Sequence, residues 1–217
     1  MRIAPHLLTF PPSHLLTFPF LVKSSTSKMK IILASGSPRR AKILEAAGVA
    51  FAVRKTDAPE VSIPHDPQRT VVENATAKLK AALAEGMDDD VAGVLAADTI
   101  VWSANRIYGK PRDLDEAAAF LRELGGQTHV VFTGVAFAGR DGAVRTACAR
   151  SDVTFRPLDE AKIAEYVARV RPTDRAGAYD IDESGDLIVA SYTGSYENIM
   201  GLPLEPLAAF GILPPTT

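Results

Sequence analysis

Cysteine is all but absent from the 217 residues: Cys148 is the only one. A lone thiol excludes an internal disulfide framework and any cysteine-based metal cluster, and it fits a reducing compartment. Cys148 lies in an alternating apolar stretch, which predicts a half-buried structural thiol and not a nucleophile. Nor is there a surplus of either charge. Lys and Arg number 24 against 26 Asp and Glu, a net charge of −2, which argues against a dedicated nucleic-acid binder, whose affinity depends on neutralising phosphates. No apolar run reaches the roughly 20 residues needed to span a bilayer, so the chain reads as a soluble cytoplasmic domain with no membrane partner. Two motifs are also lacking. Without G-x-S-x-G there is no nucleophile elbow for acyl transfer, and without G-x-x-x-x-G-K-[ST] there is no Walker loop. His65 and His129 have no second ligand at metal spacing, so His65 reads as loop and His129 as strand surface.

What is present is an ordinary globular composition, 47% hydrophobic and 23% charged, long enough for one domain or two closely fused lobes. The first 28 residues stand apart. His6-Leu7-Leu8-Thr9-Phe10-Pro11 returns as His14-Leu15-Leu16-Thr17-Phe18-Pro19, with no acidic residue and with prolines that interrupt any helix. A signal peptide is a rival reading, weakened by those prolines and by the lack of an A-x-A cleavage site. Residues 1–28 are therefore expected to be a disordered extension, or the product of a start placed before Met29, and residues 29–213 to form the domain.

Within that domain, Lys30–Ala34 reads as a strand. It feeds Ser35-Gly36-Ser37 and a helix from Pro38 to Ala47, with Ser37 as N-cap and Gly48 as the C′ residue. A strand follows near 51–55, then a helix over 67–84, then the apolar run Val91–Trp102, interrupted by Asp98 as though a central strand ended at a site. Asp113 caps a helix through Leu124, which Gly125-Gly126 stops. Gly139-Arg140-Asp141-Gly142 joins strands 128–138 and 144–155 in a hairpin. Helices near 159–169 and 204–210 bracket a strand near 186–191. Alternating strands and helices with a central hairpin predict an α/β domain with a mixed sheet and flanking helices.

Three places could carry chemistry. In Ser35-Gly36-Ser37-Pro38-Arg39-Arg40, free N–H groups at a helix start join hydroxyls and two guanidiniums, a combination that suits phosphate; a plain capped helix with solvated arginines is the bland alternative. Asp98 at the end of an apolar strand is costly to bury without a cation or donors, although an Asp there can also cap its own turn. Glu60 is its only obvious partner before it in the chain, and a carboxylate pair among cations is a divalent-metal hydrolase kit. Lys110, stiffened between Gly109 and Pro111, could meet an oxyanion. Lys78 reads equally well as an exposed helix lysine.

Together the ordered pieces resemble one family. They are Ala34–Arg40, Ala96-Ala97-Asp98-Thr99, Gly109-Lys110-Pro111, Gly125–His129, Thr133-Gly134-Val135, Asp174–Tyr179, Gly194-Ser195-Tyr196 and Gly201–Leu204. The set is similar to the Maf nucleoside triphosphate pyrophosphatases, from about Met29 to Phe210. The resemblance implies a fold like the inosine triphosphate pyrophosphatases, with two lobes around a cleft and often a homodimer. It implies hydrolysis of a nucleoside triphosphate to the monophosphate and pyrophosphate with a divalent cation, Mg or Mn. By position, Asp98 matches the proton-accepting carboxylate and Glu60 the acidic loop residue that holds metal or orients water. Ser35, Arg39, Arg40, Lys78 and Lys110 match phosphate-binding positions. In the branch acting on dTTP and UTP, base choice falls on the positions of Arg39, Thr99 and Asp182. Gln is usual at the last, and Arg175 likewise stands where Lys is usual. An ionised Asp only accepts hydrogen bonds, so Asp182 motivates a broader or CTP-shifted range as the alternative. A phosphatase releasing orthophosphate and a non-enzymatic regulator of cell division are rival readings.

Overall fold

The structure is a computed structural model that describes residues 29–213; the duplicated segment, residues 1–28, lies outside the described residues. In chain order the elements are β1 (Lys30–Leu33), α1 (Pro38–Ala46), β2 (Phe51–Val53), α2 (Pro67–Ala84), β3 (Val91–Ser103), β4 (Arg106–Tyr108), α3 (Leu114–Leu124), β5 (Thr128–Gly139), β6 (Val144–Phe155), α4 (Glu160–Val170), α5 (Gly185–Ile188), β7 (Val189–Thr193), α6 (Tyr196–Met200) and α7 (Leu204–Ala209). One seven-stranded mixed sheet runs β2-β1-β3-β5-β6-β7, with β4 beside β3. The β1 strand is parallel to β2 and β3, and every other pairing is antiparallel.

β3 and β5 are apolar at almost every position, so both of their faces need cover. The helix α2 covers one face alone. Its Ala75, Leu79 and Ala82 pack on Val94, Ala96, Ala136 and Ala138, and its Val71 packs on Ile100, Val130 and Phe132. Two helical groups divide the opposite face. Ile43 of α1, Met200 of α6 and Leu207 of α7 cover Leu95, Ala97, Val135 and Phe137. Phe120 and Leu121 of α3, with Ile163 and Tyr166 of α4, cover Val101, Val131 and Val153. Each fully buried aliphatic or aromatic side chain in these layers contributes about 1.5–3 kcal/mol. The seam between the two helical groups crosses β3 at Thr99, where a cleft opens.

Local chemistry sets the element ends. Asp66, Asp113 and Asp159 each accept the backbone N–H three residues on, satisfying one of the free donors of a helix start. Gly48 follows α1 with φ +69°, the left-handed geometry of a C′ glycine. Several expectations need correction. Ser37 occupies the N-cap position but its hydroxyl makes no capping bond; the N–H of Ser37 instead donates to Ser35 Oγ at 3.2 Å. Residues 186–188, expected as the start of a strand near 186–191, belong to the short helix α5 (Gly185–Ile188), and the strand begins at Val189. Ile188 of that turn is buried in the α3/α4 core. His129 is 1% exposed, not strand surface, because Phe155 and Tyr179 pack edge-on against its ring. Cys148 is exposed: β7 pairs with β6 only at Asp152–Phe155 and leaves the outer half of β6 uncovered.

Candidate active site

The site arises from how β3 is paired. One of its edges is filled by β5 from Gly93 to Trp102. The other edge is shared by two short strands: β1 ends opposite Leu95, and antiparallel β4 ends opposite Val101. Between them, from Ala96 to Ile100, no strand among the described residues occupies that edge. Asp98 and Thr99 sit in the gap, and strand alternation sends their side chains to opposite faces of the sheet. Asp98 thus lies in the middle of β3, not at its end as the sequence suggested, although it is beyond the end of the parallel β1 pairing. A cavity of ≈ 780 Å³ wraps this open edge and takes lining residues from both faces, a size suited to a small-molecule ligand.

On the α2 face, Asp98 is 6% exposed. Its Oδ1 accepts from Lys78 Nζ at 2.6 Å and its Oδ2 from Asn74 Nδ2 at 3.0 Å. Lys78 Nζ also lies 2.7 Å from Glu60 Oε1. Lys78 and Asn74 are one helical turn apart, so α2 presents both to one carboxylate. The approach depends on Gly134, which pairs with Asp98 in the sheet. A Cβ there would fall 2.3 Å from the carbonyl oxygen of Val71 in α2.

On the other face, Arg40 ties three elements together. Its Nε donates to the carbonyl of Gly201 at 2.8 Å, its Nη1 to Ser35 Oγ at 2.8 Å and its Nη2 to Thr99 Oγ1 at 3.0 Å. Burial pulls this guanidinium down to about 10, opposed by the nearby Asp98 charge, so it remains a cation at neutral pH. Three of its five N–H groups serve this strap, leaving two for a ligand. Thr99 Oγ1 continues to Thr133 Oγ1 at 3.0 Å, and Thr133 donates to the Asn198 carbonyl.

Arg39, Lys110 and Lys55 line the remainder of the cavity. Arg39 Nη1 stands 3.6 Å from Asp180 and 3.7 Å from Asp174. Among the described residues, neither Lys110 nor Lys55 has a carboxylate within ion-pair distance. Asp182 is placed apart. It lines a side pocket of ≈ 280 Å³ that shares Pro38, Arg39, Asp174 and Asp180 with the main cavity. Its Oδ1 accepts from the Tyr196 hydroxyl at 3.2 Å. Burial, then the Asp182 charge, push that hydroxyl up to about 12, so it stays a donor. Arg175 is held by Asp174 (2.5 Å), Asp180 (3.0 Å) and Glu183 (2.7 Å), which fixes the loop behind the side pocket.

The structure therefore gathers Ser35, Arg39, Arg40, Glu60, Lys78, Asp98, Thr99 and Lys110 around one cavity and sets Asp182 beside it. Sequence reasoning missed Asn74, Lys55 and Asp180, and it quoted Thr133 only within a motif, without a role. The only signal for Asn74 was an amide in the apolar stripe of α2. No group of three or more His, Cys, Asp or Glu converges among the described residues. Glu60 and Asp98 do converge, both reaching one ammonium, and that fits a hard divalent cation held by one or two carboxylates and completed by substrate phosphates.

Fold and site together define an α/β protein whose sheet edge opens onto paired carboxylates and a cationic rim, a class suited to phosphorylated ligands. The chain belongs to the Maf family, matching the "Maf-like protein" family over residues 30–210. It is 40% identical over 185 residues to a dTTP/UTP pyrophosphatase of Bacillus cereus, covering 85% of this chain and 90% of that protein. A dTTP/UTP pyrophosphatase of Bacillus anthracis is 42% identical over 178 residues, 82% of this chain and 92% of that protein. Among solved structures, a nucleoside-triphosphatase / dITP/XTP pyrophosphatase from Mycobacterium abscessus gives a TM-score of 0.42 at 15% identity, over 84% of this chain and 93% of that one.

Proposed function

We propose that this protein is a nucleoside triphosphate pyrophosphatase that hydrolyses dTTP and UTP to the monophosphate and pyrophosphate. The observation that carries the reading is the Lys78 ammonium, 2.6 Å from Asp98 and 2.7 Å from Glu60 at the open edge of β3. Asp98 accepts the proton of the water that attacks the α-phosphorus. Charge then builds on the phosphate oxygens and the departing pyrophosphate. Arg39, Lys78, Lys110 and the two spare N–H groups of Arg40 meet it with little reorganisation, as does the Ser35–Pro38 turn at the start of α1. Glu60 and Asp98 are the residues that would hold Mg or Mn, which supplies charge neutralisation at the phosphates and a more acidic water. The substrate is the free nucleotide; no nucleic acid or membrane takes part. No helix among the described residues is long and apolar enough to cross a membrane, and the free thiol Cys148 suits action in the cytoplasm. The homodimer that accompanies the resemblance belongs to the same reading, and the uncovered outer half of β6 is a surface available to it.

The test is a product assay with Mg or Mn on dTTP, UTP, CTP, GTP, 7-methyl-GTP and ATP, scoring pyrophosphate and orthophosphate separately. Pyrophosphate with TMP and UMP is expected. Orthophosphate release, or no turnover of any nucleotide, would overturn the reading. Asp98→Asn is expected to lose about 10²–10⁴-fold in kcat, the usual range for a general base, while keeping its circular dichroism spectrum. Full activity in that folded variant removes Asp98 from the mechanism.

A second reading concerns the base. Asp182 presents only acceptors, one of them already engaged by Tyr196. An acceptor beside the base favours one that offers an amino group, as cytosine does. Asp182→Gln is then expected to lower the ratio of CTP to UTP turnover. An unchanged ratio dismisses this reading and leaves the primary one intact.

A further inference from the structure

We infer that Asn74 is a positioning residue that fixes the two carboxylates of the cleft relative to each other and orients Asp98 as a proton acceptor. The inference rests on the roles given above to Asp98 and Glu60. Asn74 is 3% exposed and sits in the buried stripe of α2 between Val71 and Leu79. An amide in such a stripe is unfavourable unless its donors and acceptor are matched, and here they are. Its Oδ1 accepts from the N–H of Val61 at 2.8 Å, and its Nδ2 donates to the Val61 carbonyl at 3.1 Å and to Asp98 Oδ2 at 3.0 Å. The amide orientation is fixed by chemistry, since the flipped side chain would set an oxygen against the Asp98 carboxylate.

The partners explain the role. Val61 directly follows Glu60, in the stretch between β2 and α2, which has no helix or strand of its own. The Glu60 side chain is 59% exposed and meets only Lys78 among the described ion pairs. Its position is therefore set by its backbone, and Asn74 holds that backbone by a two-point bond to one residue. The loop has a second pin, because Thr70 Oγ1 accepts from the N–H of Ile63 at 3.0 Å. Only Asn74 also touches Asp98. There its N–H occupies Oδ2 while Lys78 occupies Oδ1, which fixes the plane of the carboxylate and the directions left open to a water.

The experiment compares wild type, Asn74→Ala, Asn74→Asp and Thr70→Val. Asn74→Asp keeps the size and the acceptor toward Val61 but removes the donors and adds charge. Thr70→Val removes a loop pin that does not reach Asp98. With dTTP or UTP, Asn74→Ala is expected to lower kcat about tenfold or more, with KM within about threefold of wild type. Asn74→Asp is expected to lower kcat at least as far, and Thr70→Val to keep it within about threefold of wild type. The hold on the loop is read without turnover, by hydrogen exchange at the Val61 N–H, which Asn74→Ala is expected to speed about tenfold or more and by more than Thr70→Val does. An inactive wild type would defeat the proposed function alone, and the Val61 exchange rates would still decide whether Asn74 holds the loop. Unchanged kcat in an active Asn74→Ala enzyme, an unmoved Val61 exchange rate, or an equal loss of kcat in Thr70→Val overturns the inference.

Discussion

At the residue scale the site turns on Lys78, whose ammonium is the counter-ion of two carboxylates at once. Asp98 is largely withdrawn from water, so its charge depends on that partner; Glu60 is exposed and can relax into solvent. Replacing Lys78 by Met keeps the aliphatic stem and removes the charge. The loss expected is about 3 kcal/mol, the lower end of the range for breaking a buried pair, because half of this triad is wet; urea denaturation at pH 7 measures it. Under the proposed function, Mn should raise the Tm of Lys78→Met more than that of wild type, because the ammonium would no longer compete with a cation held by Glu60 and Asp98. Equal shifts in the two proteins would show that Glu60 and Asp98 do not share the ion. Asp98 was legible in the sequence because a lone carboxylate in an apolar run is anomalous by itself. Lys78 was not, since a lysine on an amphipathic helix has a sufficient explanation in solvent, and its two partners lie 18 residues before it and 20 after it. Asn74 failed to stand out for the same reason: its justification is a loop and a strand that only the fold brings near.

At the scale of elements, α2 matters most, because one helix covers a whole face of the sheet and delivers Asn74 and Lys78 to Asp98. Its depth is set by Gly134, where an added Cβ would meet the Val71 carbonyl at 2.3 Å and the Val72 nitrogen at 2.7 Å. Backbone cannot swing aside as a side chain does, so Gly134→Ala must lift α2. Overpacking of this kind costs about 1–3 kcal/mol or more, and it should lower kcat at least as sharply as it lowers Tm, because both donors to Asp98 retreat together. Gly142→Ala is the control: φ there is +71° with nothing within 4 Å, so only the left-handed penalty of about 1–2 kcal/mol is expected, with activity kept. A Gly134→Ala protein with wild-type kcat would separate helix depth from catalysis. The start of α3 could be read from its aspartate cap, Asp113, and Asp66 and Asp159 hold the starts of α2 and α4 in the same way. The gap in β3 could not be read in advance. A run from Val91 to Trp102 looks the same whether one strand or two successive strands border it, and β4 is only three residues long. Residues 186–188 misled for a related reason: Asp186-Leu187-Ile188-Val189 is a strand by composition, and the turn is imposed by burying Ile188 under α3 and α4.

At the scale of the whole molecule, the core beneath α3 and α4 holds an aromatic knot that also walls the cleft. His129 of β5 packs between Phe155 of β6 and Tyr179, which lines the cavity. Its Nε2 pairs with the Tyr179 hydroxyl at 3.1 Å, while Nδ1 is buried without a partner among the described residues. Protonation would put a charge in this pocket and an N–H on both ring nitrogens, and the one on Nδ1 would have no acceptor there. Burial accordingly lowers this imidazole from the ordinary 6.5 to about 4. The direction fixes the sign of the pH effect. Above about 6.5 the histidine is neutral in folded and unfolded chains alike, and it costs nothing. As pH falls from there toward 4, the unfolded chain binds the proton first and stability drains away, by about 3 kcal/mol over the full window. Wild type should therefore lose about 2–3 kcal/mol more than His129→Phe between pH 7 and pH 4.5 in denaturant titrations. At pH 7 the variant should be the weaker by about 1 kcal/mol, having lost the bond to Tyr179, so the two stability curves should cross on the acid side. Parallel curves would mean that His129 takes up its proton equally in both states. A crossing would assign a large part of the acid sensitivity to His129, whose bonded neighbour Tyr179 lines the cleft.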